Sequence, residues 1–486
     1  MKTYIGMDLG TSGLKMLLVT ADGSILAENT QTYPVSYPHP GWSEQNPEDW
    51  YAAALRGLEQ LLAGQDASGV CGISFGGQMH GLVALDGSDN VIRPAILWND
   101  GRTEEETQYL NEVIGKEKLS AWTGNIAFAG FTAPKLLWMK KHEPENFAKI
   151  AKIMLPKDYL AYRLSGAFST DFSDASGMLL LDVKNRRWSR EMCDVCGISE
   201  QMLSRLHESY EVVGTLRQEI ADKFGLKDVK IIAGAGDNAA AAVGTGVVGE
   251  GGCNISLGTS GTLFVSSASY KEDKVNALHS FCHADGGWHL MGCILSAASC
   301  NSWWVNGILQ STDYKKEEAG LDEFLGKNDV CFLPYLMGER SPHNDVTARG
   351  AFIGMRPDTT RGMMTLAMLE GVTFALRDCL EAAKKNGAVI PRTKLCGGGA
   401  KSKLWRKIVA NVMNLPVDIP QTEQGPGFGA AMLAMVGCGE YQTVQEAADA
   451  IVRVKETVLP DSDIAAQYEE RYRHFTKLYP ALKGLF

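Results

Sequence analysis

The 486-residue sequence has no apolar run approaching the roughly 20 residues of a membrane-spanning helix. The start, MKTYIGMDLG, carries one lysine, and Asp8 interrupts its apolar stretch, so no signal peptide is expected. Positive charge is not in excess: 47 Lys and Arg face 57 Asp and Glu, a net charge of −10. That balance excludes a general nucleic-acid or anionic-membrane binder, because phosphate surfaces demand basic patches. Low-complexity segments and long linkers are absent. The 11 Cys are odd in number and scattered, as expected of reduced thiols in a cytoplasmic protein. Cys193 and Cys196 form a lone CxxC without a second pair, which does not make a metal site. No GxxxxGK[ST] occurs, which excludes a P-loop. Gly244–Gly249 (GTGVVG) fits GxGxxG, yet it follows a helix-forming Ala run rather than a strand, which excludes a dinucleotide fingerprint.

What is present begins with a repeat. The pentapeptide LGTSG occupies Leu9–Gly13 and returns at Leu257–Gly261, 248 residues on (257 − 9), about half the chain. Chain length alone predicts two domains. Tyr4–Asp8, Leu14–Thr20 and Ser24–Thr32 read as strands of a meander, with turns at Gly10–Gly13 and Asp22–Gly23. Cys253–Leu257 and Thr262–Ser266 repeat the strand–turn–strand pattern. The boundary is expected near Val248–Gly252, giving domains 1–249 and 250–486. Strands are expected at Val70–Ser74, Val83–Asp86, Asp228–Gly234 and Thr393–Cys396. Helices are expected at Pro47–Leu62, Phe131–Lys141, Asn238–Val243, Thr360–Lys385 and Lys403–Asn414. Strands mixed with helices in both halves predict an α/β fold with helix-covered sheets.

The twin loops suit phosphate. Glycines let a turn present successive N–H groups, and the Thr and Ser hydroxyls add donors. Thr11 and Ser12 belong to the first copy, Gly258, Thr259 and Ser260 to the second. Two such loops from two domains can grip one polyphosphate. Asp8 precedes only the first copy, and a Mg²⁺ on phosphates wants one or two carboxylates. Lys15 could reach a phosphate as a point charge. Asp237, in GAGDN between strand and helix, reads either as a helix cap or as the base that accepts a hydroxyl proton during phosphoryl transfer. Asn238 follows it as a further polar contact. Gly397–Ala400 (GGGA) permits close approach of a nucleotide to a helix N-terminus. Gly76–Gly81 (GGQMHG) exposes Gln78, Met79 and His80 at a strand end, where α/β proteins bind ligands. Trp98, Asn99 and Asp100 (in WNDGR) read either as a turn around a buried Trp or as the flat apolar face and directional hydrogen bonds that a polyol site requires.

Taken in order, these motifs resemble the FGGY carbohydrate kinases. The resemblance is carried by the twin loops, FTAPKLLW (Phe131–Trp138), GDNA (Gly236–Ala239), GERSPH (Gly338–His343) and GGGA, and it covers essentially the whole chain. GQMHG with WNDGR, PHPGWSEQ (Pro38–Gln45), LPKDYL (Leu155–Leu160) and SDASG (Ser173–Gly177) resemble the branch that phosphorylates D-xylulose at its 5-hydroxyl with ATP. The resemblance implies two actin-like (ribonuclease H-like) ATPase domains with an active-site cleft between them. It implies Asp237 as catalytic base, Met79 and His80 as the sugar-contacting pair, and Asp8 as the holder of Mg²⁺. It implies Thr11, Ser12, Thr259 and Ser260 facing phosphates, and Gly398, Gly399 and Ala400 against the adenosine. It gives Arg340 and His343 no role, and it is compatible with a homodimer, which the residues do not decide. Rival readings are a kinase of the same family acting on ribulose, glycerol, fuculose or gluconate, and an actin-like or chaperone-type ATPase switch. The switch would need no polyol loop. A non-catalytic sugar sensor would be expected to lack Asp8 or Asp237, and both are present.

Overall fold

The computed structural model describes residues 1–422 and 424–486. Its first half contains one seven-stranded sheet. The strands are β1 (Thr3–Leu9), β2 (Gly13–Thr20), β3 (Ile25–Thr32), β4 (Val70–Gly77), β5 (Val212–Thr215), β6 (Lys230–Ile232) and β7 (Ala235–Gly236). Their order is β5-β6-β4-β1-β2-β3, with β7 also on β4. The second half contains another seven-stranded sheet: β8 (Cys253–Leu257), β9 (Gly261–Ser267), β10 (His279–Cys282), β11 (Trp288–Ile294), β12 (Thr393–Cys396), β13 (Val417–Pro420) and β14 (Val454–Val458). Its order is β10-β11-β9-β8-β12-β13-β14.

Apart from β10, which extends one edge, the sheets share one pairing scheme. A meander of three antiparallel strands comes first (β1-β2-β3; β8-β9-β11). The first strand then takes a parallel neighbour (β4; β12), which takes another (β6; β13), and an antiparallel strand closes the far edge (β5; β14). The LGTSG loops join the first two strands of each sheet, so the sequence repeat reports a structural duplication. Both hairpins and β12 fall where the sequence places them. The strand expected over Asp228–Gly234 is confined to β6 (Lys230–Ile232), and Gly234, at φ +77, turns the chain before β7.

The burial patterns follow from position. β1 lies between two strands and is almost wholly buried, whereas edge strand β3 alternates between half-buried and exposed residues. The helices that matter here are α1 (Pro47–Leu62), α2 (Thr132–His142), α3 (Pro156–Ser165), α4 (Asp237–Gly244), α5 (Arg361–Lys385), α6 (Lys403–Met413) and α7 (Pro426–Gly437). α1 shows why its sequence is helical. Asn46 caps it by accepting from the Glu48 amide, Pro47 opens it, and Trp50, Ala53, Ala54, Gly57, Leu58 and Leu61 form one buried stripe.

α7 comes from the second half of the chain but sits on the first sheet. A Cβ at Gly6 of β1 would lie 2.7 Å from the Ala431 amide nitrogen, and one at Gly76 of β4 would lie 2.8 Å from the Pro426 Cβ. α4 crosses α7 just as closely, since a Cβ at Gly244 would lie 2.9 Å from the Gly429 nitrogen. Tyr4, Leu17, Ala239, Ala240, Phe428 and Met432 belong to the core cluster that results. The two halves therefore share a core at the root of the cleft. No helix among the described residues is long and apolar enough to cross a membrane.

Candidate active site

Three chain segments leave the first sheet at neighbouring carboxyl ends. β1 delivers Asp8 and the first LGTSG loop, β4 delivers Gln78–His80, and β7 leads into Asp237. Loops at such strand ends are where α/β sheets bind ligands. Asp237 is the first residue of α4, and Gly236 occupies the cap position, so Asp237 is not itself the cap. One oxygen, Oδ1, accepts from the Asn238 amide (2.7 Å) and from Asn238 Nδ2 (2.9 Å). Burial lifts the Asp237 carboxyl to about 6, against the pull of these two bonds. Asp8 is lifted to about 7, first by burial and then by the charge of Asp237, with Lys15 opposing. Among the described residues no protein group donates to the Asp8 carboxylate.

The first LGTSG loop is held from below. Thr11 Oγ1 donates to Gln78 Oε1 (3.1 Å) and accepts from Trp98 Nε1 (3.0 Å). Gln78 Nε2 reaches Gln45 Oε1 (3.0 Å), and Gln45 Nε2 returns to the Thr11 carbonyl (2.7 Å). Tyr33 donates to the Gly10 carbonyl (2.5 Å). Gln78 and Trp98 thus support the loop, while Ser12 stands exposed. Lys15 lies across the hairpin from Asp8, with Nζ 2.5 Å from Gln424 Oε1 and 3.8 Å from Glu28 Oε2.

WNDGR does not act as one unit. Asp100 is buried, and its oxygens are filled by the Arg102 guanidinium (2.8 and 2.7 Å), the Arg102 amide (2.9 Å) and the Ser43 amide (2.6 Å). Its carboxylate is thereby committed to the protein and not presented to a sugar. Asn99 is exposed and lines an outer cavity of about 520 Å³ with Tyr37–Ser43.

Met79 and His80 face inward. A Cβ at Gly236 would lie 2.9 Å from the Met79 sulfur, which puts the thioether beside the Asp237 turn. His80 holds φ +69, and its carbonyl accepts from Thr132 Oγ1 (3.0 Å) and from the buried Lys135 Nζ (2.9 Å) at the start of α2. Its Nδ1 lies 2.8 Å from the Gly177 carbonyl. Burial depresses the ring to about 3, so it is neutral at physiological pH. A neutral ring facing a carbonyl through Nδ1 carries its proton there, and Nε2 is left as an acceptor. Phe131 packs against the ring at 4.8 Å, and Phe281, from the second half, lies 6.4 Å away.

The second sheet mirrors this arrangement. β8 delivers the second LGTSG loop and β12 delivers GGGA. Gly397 needs φ +89 there, and its Cβ would lie 3.0 Å from the Gly258 nitrogen, so the two loops touch. The loop carbonyls of Gly258 and Thr259 accept from the Ala298 amide (2.8 Å) and the Ala297 amide (3.0 Å). Thr259 is exposed and Ser260 half-buried. Beside them a cavity of about 370 Å³ is lined by Gly398, Gly399, Ala298, Tyr314, Glu318 and Trp405. That volume suits a purine base. Ala400 is buried behind the loop and does not line it.

Sequence reasoning gave no role to the buried network beneath Asp237. Lys157 of α3 pairs with Asp158 (2.6 Å), Asp171 (2.9 Å) and Asp174 (3.7 Å), all fully buried. Burial pulls down the pKa of this amine, but the three carboxylates outweigh it and hold the amine protonated. Asp171 Oδ2 accepts from Ser173 Oγ (2.5 Å), and Ser173 Oγ in turn accepts from the Gly236 amide (3.1 Å). The residue before Asp237 is thereby tied to a rigid ionic core. Its only signal in the sequence was the grouping of Lys and Asp in LPKDYL and SDASG.

Residues 3–244 match the N-terminal domain of the FGGY family of carbohydrate kinases, and residues 253–438 match its C-terminal domain. The chain belongs to the FGGY family of carbohydrate kinases. It is 40% identical to a xylulose kinase of Escherichia coli (strain K12), covering 99% of each chain. It is 37% identical to a xylulose kinase of Bacillus subtilis (strain 168), covering 100% of this chain and 98% of the other. The crystal structure of a xyloylose kinase from Brucella ovis superposes with TM-score 0.95 at 41% identity, covering 100% of both chains. The fold expectation, two actin-like α/β domains around a cleft, is met. Membership makes the protein a sugar kinase that uses ATP on a small-molecule acceptor.

Proposed function

We propose that the protein transfers the γ-phosphoryl group of ATP to the 5-hydroxyl of D-xylulose, yielding D-xylulose 5-phosphate and ADP in the cytoplasm. The observation that carries this reading is the convergence of Asp8, Asp237 and the Met79–His80 pair at adjacent strand ends, in a chain 40% identical to a xylulose kinase. Residues 1–249 hold the sugar and residues 250–486 hold the nucleotide. The base enters the cavity beside Gly398 and Gly399. The phosphates meet the N–H groups and hydroxyls of both LGTSG loops, through Thr11, Ser12, Thr259 and Ser260.

Asp8 fits a hydrated Mg²⁺. It is a carboxylate free of protein donors, and the described residues contain no cluster of three or more His, Cys, Asp or Glu that would enclose a metal. Bound there, such an ion would be held by Asp8 and would supply neutralising charge to the polyphosphate. Asp237 aligns the sugar hydroxyl and accepts its proton as the O5–P bond forms and the bond from Pγ to the bridging oxygen breaks. Asn238 holds Asp237 in position, His80 Nε2 accepts from a sugar hydroxyl, and Met79 gives an apolar wall. Closure of the cleft excludes water, which limits ATP hydrolysis.

The test is ADP release by purified protein with MgATP and a panel of D-xylulose, D-ribulose, L-ribulose, glycerol and D-gluconate. D-xylulose is expected to stimulate release more than any other member. Stronger stimulation by another polyol would move the substrate within the family, and a high rate indifferent to every sugar would support an ATPase switch instead.

A further inference from the structure

GERSPH (Gly338–His343) has a role that the sequence did not disclose. Arg340 comes from the second half of the chain, yet its guanidinium lies 5.4 Å from the ring centroid of Phe128, in the first half. Phe128 packs edge-on against His279 (5.0 Å) and Phe131 (5.4 Å), and Phe131 packs on His80. The guanidinium therefore stands at the rim of the aromatic cluster that carries His80. It is only partly exposed, and among the described residues no carboxylate or carbonyl accepts from it. Arg102 and Arg186, by contrast, are bonded, Arg102 to Asp100 and Arg186 to Glu208 and to the Gly286 and Gly287 carbonyls. A guanidinium has five donors in a fixed fork, so one left without an acceptor in a cleft has unused recognition capacity.

Its backbone is fixed on both sides. The buried Glu339 carboxyl accepts from the Arg340 amide (2.8 Å) and from the Leu295 amide just beyond β11 (3.0 Å). The Ser341 amide donates to the Cys293 carbonyl of β11 (3.0 Å). Such tethering presents a side chain with little freedom to lose on binding. Beside Phe128 and His279, the Arg340 charge reaches the His80 and His279 rings, as it does the neighbouring Glu339 carboxyl and Cys293. The guanidinium thus lies on the aromatic cluster of Phe128 and Phe131 that packs on His80.

We propose that Arg340 is a sugar-binding residue that donates to oxygens of the ketose away from the reacting hydroxyl. The second domain thereby grips the sugar as well as the nucleotide. This rests on placing the ketose beside Met79 and His80. A stacking contact on Phe128 alone would make Arg340 structural, and the two roles differ in what they change.

The experiment compares wild type, Arg340→Met and Arg340→Lys under steady-state kinetics, with D-xylulose and ATP varied in turn and melting midpoints recorded. Methionine keeps contact with Phe128 and removes every donor. Lysine keeps charge but loses the fork. The expected result is a rise of about 10- to 100-fold in KM for D-xylulose in Arg340→Met, with KM for ATP within about twofold of wild type. Arg340→Lys is expected to fall between. An unchanged sugar KM in a folded Arg340→Met would overturn the proposal, as would equal rises for both substrates. Should Arg340→Met not fold, an unchanged sugar KM in Arg340→Lys overturns it. Wild type that ignores D-xylulose refutes the functional reading separately. The same comparison is then made with the sugar that stimulates most, and an unchanged KM for that sugar overturns the role of Arg340.

Discussion

Replacing Asp237 by Ala is expected to lower kcat by at least about 10³-fold while moving KM for ATP by less than about twofold. On the proposed mechanism, the variant loses the group that aligns and deprotonates the acceptor hydroxyl but leaves both LGTSG loops and the Gly398–Gly399 cavity in place. Steady-state kinetics checks it, and a rate near wild type would remove Asp237 from the chemistry. The pH dependence has a definite sign. A base works ionised, and burial lifts the Asp237 carboxyl to about 6, so kcat/KM is expected to rise with pH through that region. Asp8, lifted to about 7, shares the field, so the acid limb belongs to the pair.

Stability runs the other way. The native Asp237 carboxyl stays protonated up to about 6, whereas the unfolded chain releases that proton near 3.8. Between these values the native state binds more protons, so the stability contribution falls as pH rises and the full cost remains above pH 6. Asp237→Asn is therefore expected to stabilise the fold by about 1–2 kcal/mol at pH 7.5, a value reduced for the partial exposure of the group. An inactive variant with a higher melting midpoint at pH 7.5, and no gain at pH 4, is the expected pattern.

Gly429→Ala is the second large effect, because two principles disagree about it. Within helix α7, alanine should be favoured over glycine by about 1 kcal/mol. Packing opposes this, since the new methyl would overlap the carbonyl of Ala240 and lie 2.9 Å from the Gly244 nitrogen. Those atoms are backbone of α4 and cannot rotate away, so overpacking of about 3 kcal/mol or more outweighs propensity. The expected result is a melting midpoint several degrees lower, or an insoluble protein. Gly87→Ala, where a Cβ meets nothing within 4 Å, is the matched control and should be neutral. A Gly429→Ala protein as stable as wild type would show that the α4–α7 crossing has slack. Because α4 begins at Asp237, a shifted crossing is also expected to depress kcat.

The parts of this protein that were legible in the sequence are local ones. LGTSG appears twice because each copy closes a hairpin between the first strands of duplicated sheets, and glycine and hydroxyl residues mark such turns wherever they occur. α1 announces itself through Asn46, Pro47 and its apolar stripe. The position of Asp237 between strand and helix was visible for the same reason. What was hidden is long-range. PGFGAAMLAMVG reads only as a buried helix, and nothing in it says that it seats on the sheet of the other half. Asp100 looks available beside Trp98, but Arg102 two residues on consumes its oxygens, and the Ser43 amide completes the capture. Lys157 and its three aspartates lie at positions 157, 158, 171 and 174, and only the fold brings them beneath Gly236. Arg340 gains meaning only when the second half of the chain places it over Phe128.

The most direct measurement is the identity of the product formed from D-xylulose and MgATP, read by phosphorus NMR with proton coupling and matched to ADP released. A single phosphomonoester on C5, equimolar with ADP, is the predicted result. Orthophosphate in place of a sugar phosphate, or an ester at C1, would contradict the assignment.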